Sequence, residues 1–201
     1  MGILGGTFNP PHLGHLVAAQ EALEQLELDV VQLMPVAVPP HKESHEDPGA
    51  EARFALCLAA VADDERFEVS RVEIERGGPS YTVDTLRAIH ATSPGDELTF
   101  ILGGDMAASL PSWREPEALL ELASLGVAER VGNGRAQIAA ALDGLCDAGR
   151  IHFFSMPRID LSSTDIRARV RAGRSIRYLV PDDVARLIGA RGLYQTEVPV
   201  T

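Results

Sequence analysis

Near its N-terminus the chain reads Gly5-Gly6-Thr7-Phe8-Asn9-Pro10-Pro11-His12-Leu13-Gly14-His15, between a short apolar run and leucines at helical spacing. This order predicts a first buried strand that passes directly into a first helix. Glycines let the backbone approach a ligand, and a helix start offers unpaired N–H groups at the positive end of its dipole. His12 and His15 lie three residues apart there, so both can face one ligand. The stretch therefore predicts a polyphosphate site rather than a Gly-Pro turn, which would need neither histidine.

Short apolar runs alternate with helical patterns along the rest of the chain. Strands are predicted over 1–4, 30–34, 67–74, 98–102, 125–130 and 151–155, and helices over 16–26, 50–62, 82–91, 115–122 and 136–145. This alternation predicts right-handed βαβ units in a doubly wound parallel sheet, an α/β fold. Two further helices should close the chain, one from 162–164, where hydroxyls can cap it, and one after Pro181. Residues 36–49 lack a pattern and are predicted to form a mobile lid.

The composition predicts one soluble domain, 1–201. A chain of 201 residues with 45% hydrophobic content can bury one sizeable core. No apolar run approaches the roughly 18–20 residues of a membrane span, and no leader is recognisable, so a cytoplasmic protein without a membrane partner is expected. A net charge of −11 argues against a nucleic-acid surface. Cys57 and Cys146 lie in Ala/Leu-rich helical patterns and are expected to be buried apolar side chains rather than a disulfide or metal site.

Two basic features of the sequence suit anionic small molecules: a single lysine and a patch of arginines. Lys42 is the only lysine among 18 basic residues, and a compact, mobile ammonium suits a phosphate that moves or changes charge. Within 158–177 the arginines outnumber the acids, and we interpret three of them (Arg169, Arg171 and Arg174) as a solvated helix face. The whole patch comprises Arg158, Arg167, Arg169, Arg171, Arg174 and Arg177, against Asp160 and Asp165.

A second predicted helix start, at Ser162-Ser163-Thr164, shares the anion-binding features of the first one. Hydroxyls and free N–H groups gather there, and Arg167 one turn later points at the same place. An N-cap alone would account for one hydroxyl and not for three with an arginine. A second phosphate-binding helix start is therefore predicted.

The N-terminal stretch resembles the T/HxGH signature of nucleotidyltransferases, which adenylyltransferases, cytidylyltransferases and, more distantly, class I aminoacyl-tRNA synthetases share. In this form it is most similar to the nicotinate-nucleotide adenylyltransferase family. The resemblance runs from about residue 2 to 194 and continues through four further blocks, at 39–42, at 78–86, at Gly103-Gly104-Asp105 with Trp113, and at 161–167. It implies a Rossmann-like nucleotidyltransferase fold with C-terminal helices.

The resemblance implies transfer of the adenylyl group of ATP to nicotinate mononucleotide, giving the deamido dinucleotide and pyrophosphate by direct in-line attack, with Mg²⁺ accompanying ATP. Catalytic roles fall on His12, His15, Lys42 and Arg167. ATP would be bound by Gly6, Thr7, His12, His15, Ser162, Ser163, Thr164 and Arg167. No protein metal site is implied. Zinc is a rival explanation of the histidine pair, but no Cys and no convincing carboxylate lies nearby as a third ligand.

The acceptor site is implied by the remaining blocks. Trp113, the only tryptophan, would stack on the pyridine ring for ~1–3 kcal/mol. Thr82 would receive the nicotinate carboxylate, and Asp105, at the carboxyl end of a strand, would accept ribose hydroxyls. The full acceptor set is Thr7, Phe8, Tyr81, Thr82, Gly104, Asp105, Trp113 and Arg130. Three positions depart from the family pattern, namely Asn9 for Asp, Arg114 for an aromatic residue, and Val131 for the proline after Arg130.

The sequence leaves two other functions open. A phosphopantetheine adenylyltransferase shares the fold but does not explain the 80–82 block or Trp113, which suit a flat aromatic acceptor. A non-catalytic ATP-sensing module would have no need to keep His12, His15, Lys42 and Arg167 together. Homo-oligomerisation, closure of 36–49 over ATP, and preference for the acid over the amide mononucleotide are further open alternatives.

Overall fold

The computed structural model describes residues 1–39, 46–129, 134–145 and 147–195. These residues contain a six-stranded, all-parallel sheet flanked by helices. The strands are β1 (Gly2–Gly6), β2 (Val31–Pro35), β3 (Phe67–Val69), β4 (Thr99–Gly103), β5 (Ser124–Glu129) and β6 (Ile151–Ser155). The helices are α1 (Leu13–Gln25), α2 (Ala50–Val61), α3 (Val72–Arg76), α4 (Thr82–Thr92), α5 (Gly104–Ser109), α6 (Pro116–Leu122), α7 (Gly134–Ala141), α8 (Ser163–Arg171) and α9 (Asp182–Arg191).

The strand order β3-β2-β1-β4-β5-β6 confirms the doubly wound α/β fold. Strands β1 to β3 are added toward one edge of the sheet and β4 to β6 toward the other, so the strand order reverses between β1 and β4. These two strands pair in parallel, with Leu4 opposite Ile101. In such sheets a ligand crevice opens outside the carboxyl ends of the two strands at the reversal. The segments that follow Gly6 and Gly103 therefore lie on the two sides of that crevice.

Both faces of the sheet are covered, as the short apolar strands require. Successive residues of β1 point to opposite faces, so Ile3 packs with the helices of the α4 side and Leu4 with those of the α1 side. A third apolar cluster joins α2 to the C-terminal helices through Leu56, Ile166 and Val184. This cluster holds the start of α8 beside the α1 side of the sheet.

The structure corrects three local predictions. The strand expected over 67–74 ends at Val69, and Val72–Arg76 is helical. Val72 and Ile74 imitate strand alternation, but the helix buries Glu73, whose carboxylate accepts a hydrogen bond from the Thr85 hydroxyl at 2.7 Å. The helix expected over 136–145 ends at Ala141. The short helix α5 was not predicted.

Two other expectations concern cysteines and membranes. Cys57 is fully buried in the apolar cluster beneath α1, as expected. Cys146 lies outside the described residues. Among the residues that are described, no helix has both the length and the apolarity that crossing a membrane requires.

Candidate active site

The turn between β1 and α1 is held in an uncommon backbone conformation. Phe8 has φ +48° and is 2% exposed, and the Asn9–Pro10 peptide is cis. His12 is extended and occupies the N-cap position of α1. Its backbone N–H donates to Nδ1 of His15 at 3.1 Å, so the two histidines are joined at the helix start.

The two imidazoles form a compact stacked pair. Their ring centroids lie 3.7 Å apart with 27° between the planes, and the Phe8 ring meets His15 edge-on at 5.0 Å. Because Nδ1 of His15 accepts a hydrogen bond, the proton of the neutral ring sits on Nε2. His15 can therefore donate from Nε2 to an anionic oxygen. Nδ1 of His12 is buried and has no partner among the described residues.

Burial keeps both histidines neutral. It lowers the pKa of His12 to about 4, although the hydrogen bond to its own backbone opposes the shift. It lowers the pKa of His15 to about 3, and the charge of the neighbouring His12 adds to that effect. At neutral pH the pair therefore offers neutral hydrogen-bonding groups, and a bound polyphosphate would favour protonation.

Gly14 belongs to the signature for a steric reason. A Cβ at this position would lie 3.1 Å from both Nδ1 and Cε1 of His12. Either the ring would shift by a few tenths of an ångström or the helix start would move. The small residue between the two histidines thus allows their stacked arrangement.

The start of α8 is fastened to the turn after β1. Ser163 donates from Oγ to the Pro10 carbonyl at 2.8 Å, and Arg167 donates from Nη1 to the Asn9 carbonyl at 2.8 Å. Ser162 caps the helix, since its hydroxyl accepts from the Asp165 N–H at 3.1 Å. The two helix starts that the sequence singled out are therefore neighbours.

The interpretation of Arg171 as part of a solvated helix face is wrong. Arg167 contacts Oε2 of Glu46 at 2.8 Å from Nε, and Arg171 pairs with the same carboxylate. Arg171 is therefore part of a charged group with Arg167 and not simply a solvated helix face. Thr164, exposed on the first turn of α8, accepts a longer contact from Nη2 of Arg167 at 3.4 Å.

The residues predicted to bind the acceptor lie where β4 ends and α4 begins. Tyr81 is the N-cap residue of α4, Thr82 is its first residue, and Asp105 lies in the first turn of α5. Trp113 packs against the same apolar cluster as Tyr81. Its indole N–H donates to the Ser109 hydroxyl at 3.1 Å, which fixes the ring plane.

Arg114 adds a cation to this group. Its guanidinium lies 4.6 Å from the centroid of the Tyr81 ring and contacts Asp84 at 3.3 Å. The contact is a cation–π interaction, which holds the Arg114 guanidinium against the Tyr81 ring. Gly104 is also confined, because a Cβ there would lie 3.2 Å from Ile138.

The structure thus places the sequence-predicted residues in two groups, at the carboxyl ends of the adjacent strands β1 and β4. The group that follows β1 contains Gly6, Thr7, Phe8, His12 and His15, joined by Ser162, Ser163, Thr164 and Arg167 from α8. The second group contains Gly104, Asp105 and Trp113, which follow β4, and Tyr81 and Thr82, which lie at the start of α4. Lys42 and Arg130 lie outside the described residues. Within the described part of the chain, no cluster of three His, Cys, Asp or Glu side chains could hold a metal ion.

Sequence reasoning missed two residues of the site. Glu46 sits in the patternless stretch and pairs with arginines more than a hundred positions away. Arg53 lies in the Ala/Leu-rich pattern of α2, yet it is 1% exposed and bonds to the turn after β1. The only sequence signal for Arg53 is a charged residue among apolar ones, Phe54, Leu56 and Cys57.

The chain matches the family model described as Cytidylyltransferase-like over residues 3–169. Fold and site together therefore define a nucleotidyltransferase of the cytidylyltransferase-like class. A probable nicotinate-nucleotide adenylyltransferase of Exiguobacterium sibiricum is 42% identical over 196 residues, covering 98% of this chain and 99% of that protein. One from Rubrobacter xylanophilus is 40% identical over 198 residues, covering 98% and 92%. This chain belongs to the nicotinate-nucleotide adenylyltransferase family.

Solved structures agree on the fold. A nicotinic acid mononucleotide adenylyltransferase from Plasmodium falciparum, complexed with NaAD, superposes with a TM-score of 0.75 at 16% identity, covering 96% of both chains. A putative nicotinate-nucleotide adenylyltransferase from Vibrio parahaemolyticus gives 0.68 at 22% identity, covering 98% of this chain and 95% of the other. At these identities the likeness concerns the architecture.

Proposed function

We propose that this chain transfers the adenylyl group of ATP to nicotinate mononucleotide, forming nicotinate adenine dinucleotide and pyrophosphate. The observation that carries the proposal is the convergence of two helix starts at the crevice beside β1. One presents the stacked His12–His15 pair, and the other is fastened to it through Arg167 and Ser163. Helix N-termini with basic and hydroxyl side chains are suited to a polyphosphate. The curated relatives carry the same activity in their names.

The reaction needs no nucleophile from the protein. A phosphate oxygen of the acceptor attacks the α-phosphorus of ATP, a new P–O bond forms, and the bond to the leaving pyrophosphate breaks with its electron pair. Positioning and charge stabilisation then supply the rate enhancement. His15 donates from Nε2 toward the α-phosphate and the leaving oxygen. Arg167 and the hydroxyls of 162–164 hold the β- and γ-phosphates, and Mg²⁺ enters with ATP as part of the substrate.

The second group would hold the acceptor. Trp113, fixed by Ser109, offers an indole face for the pyridine ring. Thr82 offers its hydroxyl and the free N–H groups of the α4 start to the carboxylate. Asp105 accepts ribose hydroxyls, and Thr7, Phe8, Tyr81, Gly104 and Arg130 complete the proposed lining. The adjacency of β1 and β4 supports this proposal, because an acceptor held by the second group would have its phosphate near the α-phosphate of ATP.

We expect Trp113→Ala to weaken nicotinate mononucleotide binding by ~1–3 kcal/mol, the worth of a stacked ring. ATP affinity should hardly change, since ATP is held by the other group. Isothermal titration calorimetry with each nucleotide measures both quantities. Tyr178→Ala, which removes an aromatic residue that is 74% exposed, is the matched control. Unchanged acceptor affinity with a damaged ATP site would contradict the assignment and favour the phosphopantetheine alternative.

Lys42 is proposed to act on ATP and on the departing pyrophosphate. Lys42→Ala should lower kcat by about tenfold, as the loss of one hydrogen bond to a charged group worth roughly 1.5 kcal/mol would. Nicotinate mononucleotide affinity should fall less, and Lys42→Arg should restore only part of kcat because a rigid fork replaces a mobile point charge. Steady-state kinetics and calorimetry give the comparison. Equal losses in turnover and acceptor affinity would place Lys42 on the acceptor instead.

The function is tested by supplying ATP, Mg²⁺ and one acceptor at a time, and measuring pyrophosphate release. The acceptors are nicotinate mononucleotide, nicotinamide mononucleotide and phosphopantetheine. Release with the first is the expected result, and release with phosphopantetheine alone would replace the proposal. ATP binding without release in any reaction would indicate a sensing module.

We also propose that the chain works as one domain, in the cytoplasm, on small nucleotides. The net charge of −11 supports the exclusion of nucleic acid.

A further inference from the structure

Arg53 is a buried arginine with four polar contacts. It lies in the first turn of α2 and is 1% exposed. Its Nε donates to Oδ1 of Asp47 at 2.9 Å. Nη1 donates to the carbonyls of Thr7 at 3.1 Å and Val36 at 2.5 Å, and Nη2 donates to the carbonyl of Ala37 at 3.2 Å.

These acceptors belong to three separate segments of irregular backbone. Thr7 follows β1, Val36 and Ala37 follow β2, and Asp47 precedes α2. Buried carbonyls outside regular structure need donors, and one guanidinium supplies them in a fixed planar fork. A lysine at this position would present a single point charge with three donors, so it could not reproduce the arrangement.

The contact with Thr7 determines the direction of the next N–H group. In a trans peptide the carbonyl and the N–H of the following residue point in opposite directions. Holding the Thr7 carbonyl toward Arg53 therefore aims the Phe8 N–H away from Arg53. Phe8 itself has φ +48°, a conformation that L residues adopt only when the surroundings impose it. Its ring supports His15 edge-on at 5.0 Å.

We infer that Arg53 is a positioning residue for adenylyl transfer, which holds the Thr7–Phe8 peptide and, through the Phe8 ring, the orientation of His15. The inference rests on the proposed function. Arg53 contacts Asp47 and three backbone carbonyls and touches no reacting atom. It acts at a distance by fixing backbone that the proposed function places against the phosphates.

Arg53→Lys tests the inference. In a folded variant, kcat should fall by about 10- to 100-fold, as small displacements of a reacting group do, while the KM values change by less than about threefold. The Phe8 amide resonance of ¹⁵N-labelled protein, free of nucleotide, should also move. Arg71→Lys is the matched control. Arg71 pairs at the surface with Glu51, which lies on α2 as Arg53 does. Arg71→Lys should leave both readouts unchanged.

The outcomes separate this inference from the proposed function. Normal kcat in folded Arg53→Lys, or an unmoved Phe8 resonance, overturns the inference. If the wild type releases no pyrophosphate, the proposed function fails, and the Phe8 resonance alone decides the role of Arg53. If Arg53→Lys does not fold, Asp47→Asn is the deciding variant. It keeps the three carbonyl contacts of Arg53, so kcat should stay within about threefold of the wild type and the Phe8 amide resonance should not move. A kcat loss above tenfold in folded Asp47→Asn, with Phe8 unmoved, contradicts the inference.

Discussion

His15→Ala is expected to lower kcat by about 10²–10³-fold in a protein that still folds. The loss corresponds to ~2.7–4 kcal/mol, the usual cost of removing a hydrogen-bond donor aimed at charge that develops in the transition state. The neutral ring carries its proton on Nε2, since Nδ1 accepts from the His12 backbone at 3.1 Å. Steady-state pyrophosphate release gives kcat, and circular dichroism shows whether the variant folds.

The control for this substitution is His90→Ala, which removes an exposed histidine at the end of α4. It should retain the wild-type kcat. ATP affinity in His15→Ala should fall much less than kcat, because the interaction strengthens as the leaving oxygen gains charge. A folded His15→Ala protein with near-normal turnover would remove His15 from the chemistry.

Acidification is expected to destabilise the protein through the same two histidines. Burial lowers their pKa values from 6.5 to about 4 for His12 and about 3 for His15. Below pH 6.5 the unfolded chain therefore binds protons that the native state does not. Stability contributed by the neutral rings is complete above about pH 6.5 and falls as the pH drops toward 4. At pH 5 the loss is about 2 kcal/mol for each histidine.

Urea unfolding at pH 7.5 and pH 5 measures this dependence. The double variant His12→Gln/His15→Gln should show a flatter change in the free energy of unfolding than the wild type, because its side chains do not titrate. His90→Gln should keep the wild-type change. Equal pH dependence in the wild type and the double variant would mean that the imidazoles are not desolvated as the structure describes.

The sheet and the first helix start could be predicted because their signals are local. Ile3 and Leu4 predict a strand buried on both faces. The two histidines with Gly14 predict a helix start that binds a ligand. The hydroxyls at 162–164 were likewise readable as a cap. Their assignment to ATP came from family resemblance, since spacing alone predicts a phosphate site without naming the nucleotide.

Contacts between distant segments could not be predicted in this way. Arg167 reaches the Asn9 carbonyl across 158 positions, and Arg53 reaches Thr7 across 46. A charged residue in a helical pattern is ordinarily expected to face solvent, so the one local signal, an arginine among apolar residues, does not by itself predict that Arg53 is buried. The prediction of a strand through residue 74 was wrong for a related reason. Glu73 separates two apolar residues as a solvated strand residue would, yet it is buried against Thr85.

A competition among three acceptors in one reaction tests directly whether the protein transfers the adenylyl group to nicotinate mononucleotide. Wild-type protein receives ATP, Mg²⁺ and an equimolar mixture of nicotinate mononucleotide, nicotinamide mononucleotide and phosphopantetheine, and the products are separated by mass. Nicotinate adenine dinucleotide should be the main product, formed in equal amount to pyrophosphate, because Thr82 and the α4 start favour an acceptor that carries a carboxylate. A main product made from phosphopantetheine, or ATP consumption without any dinucleotide, would contradict the proposed function.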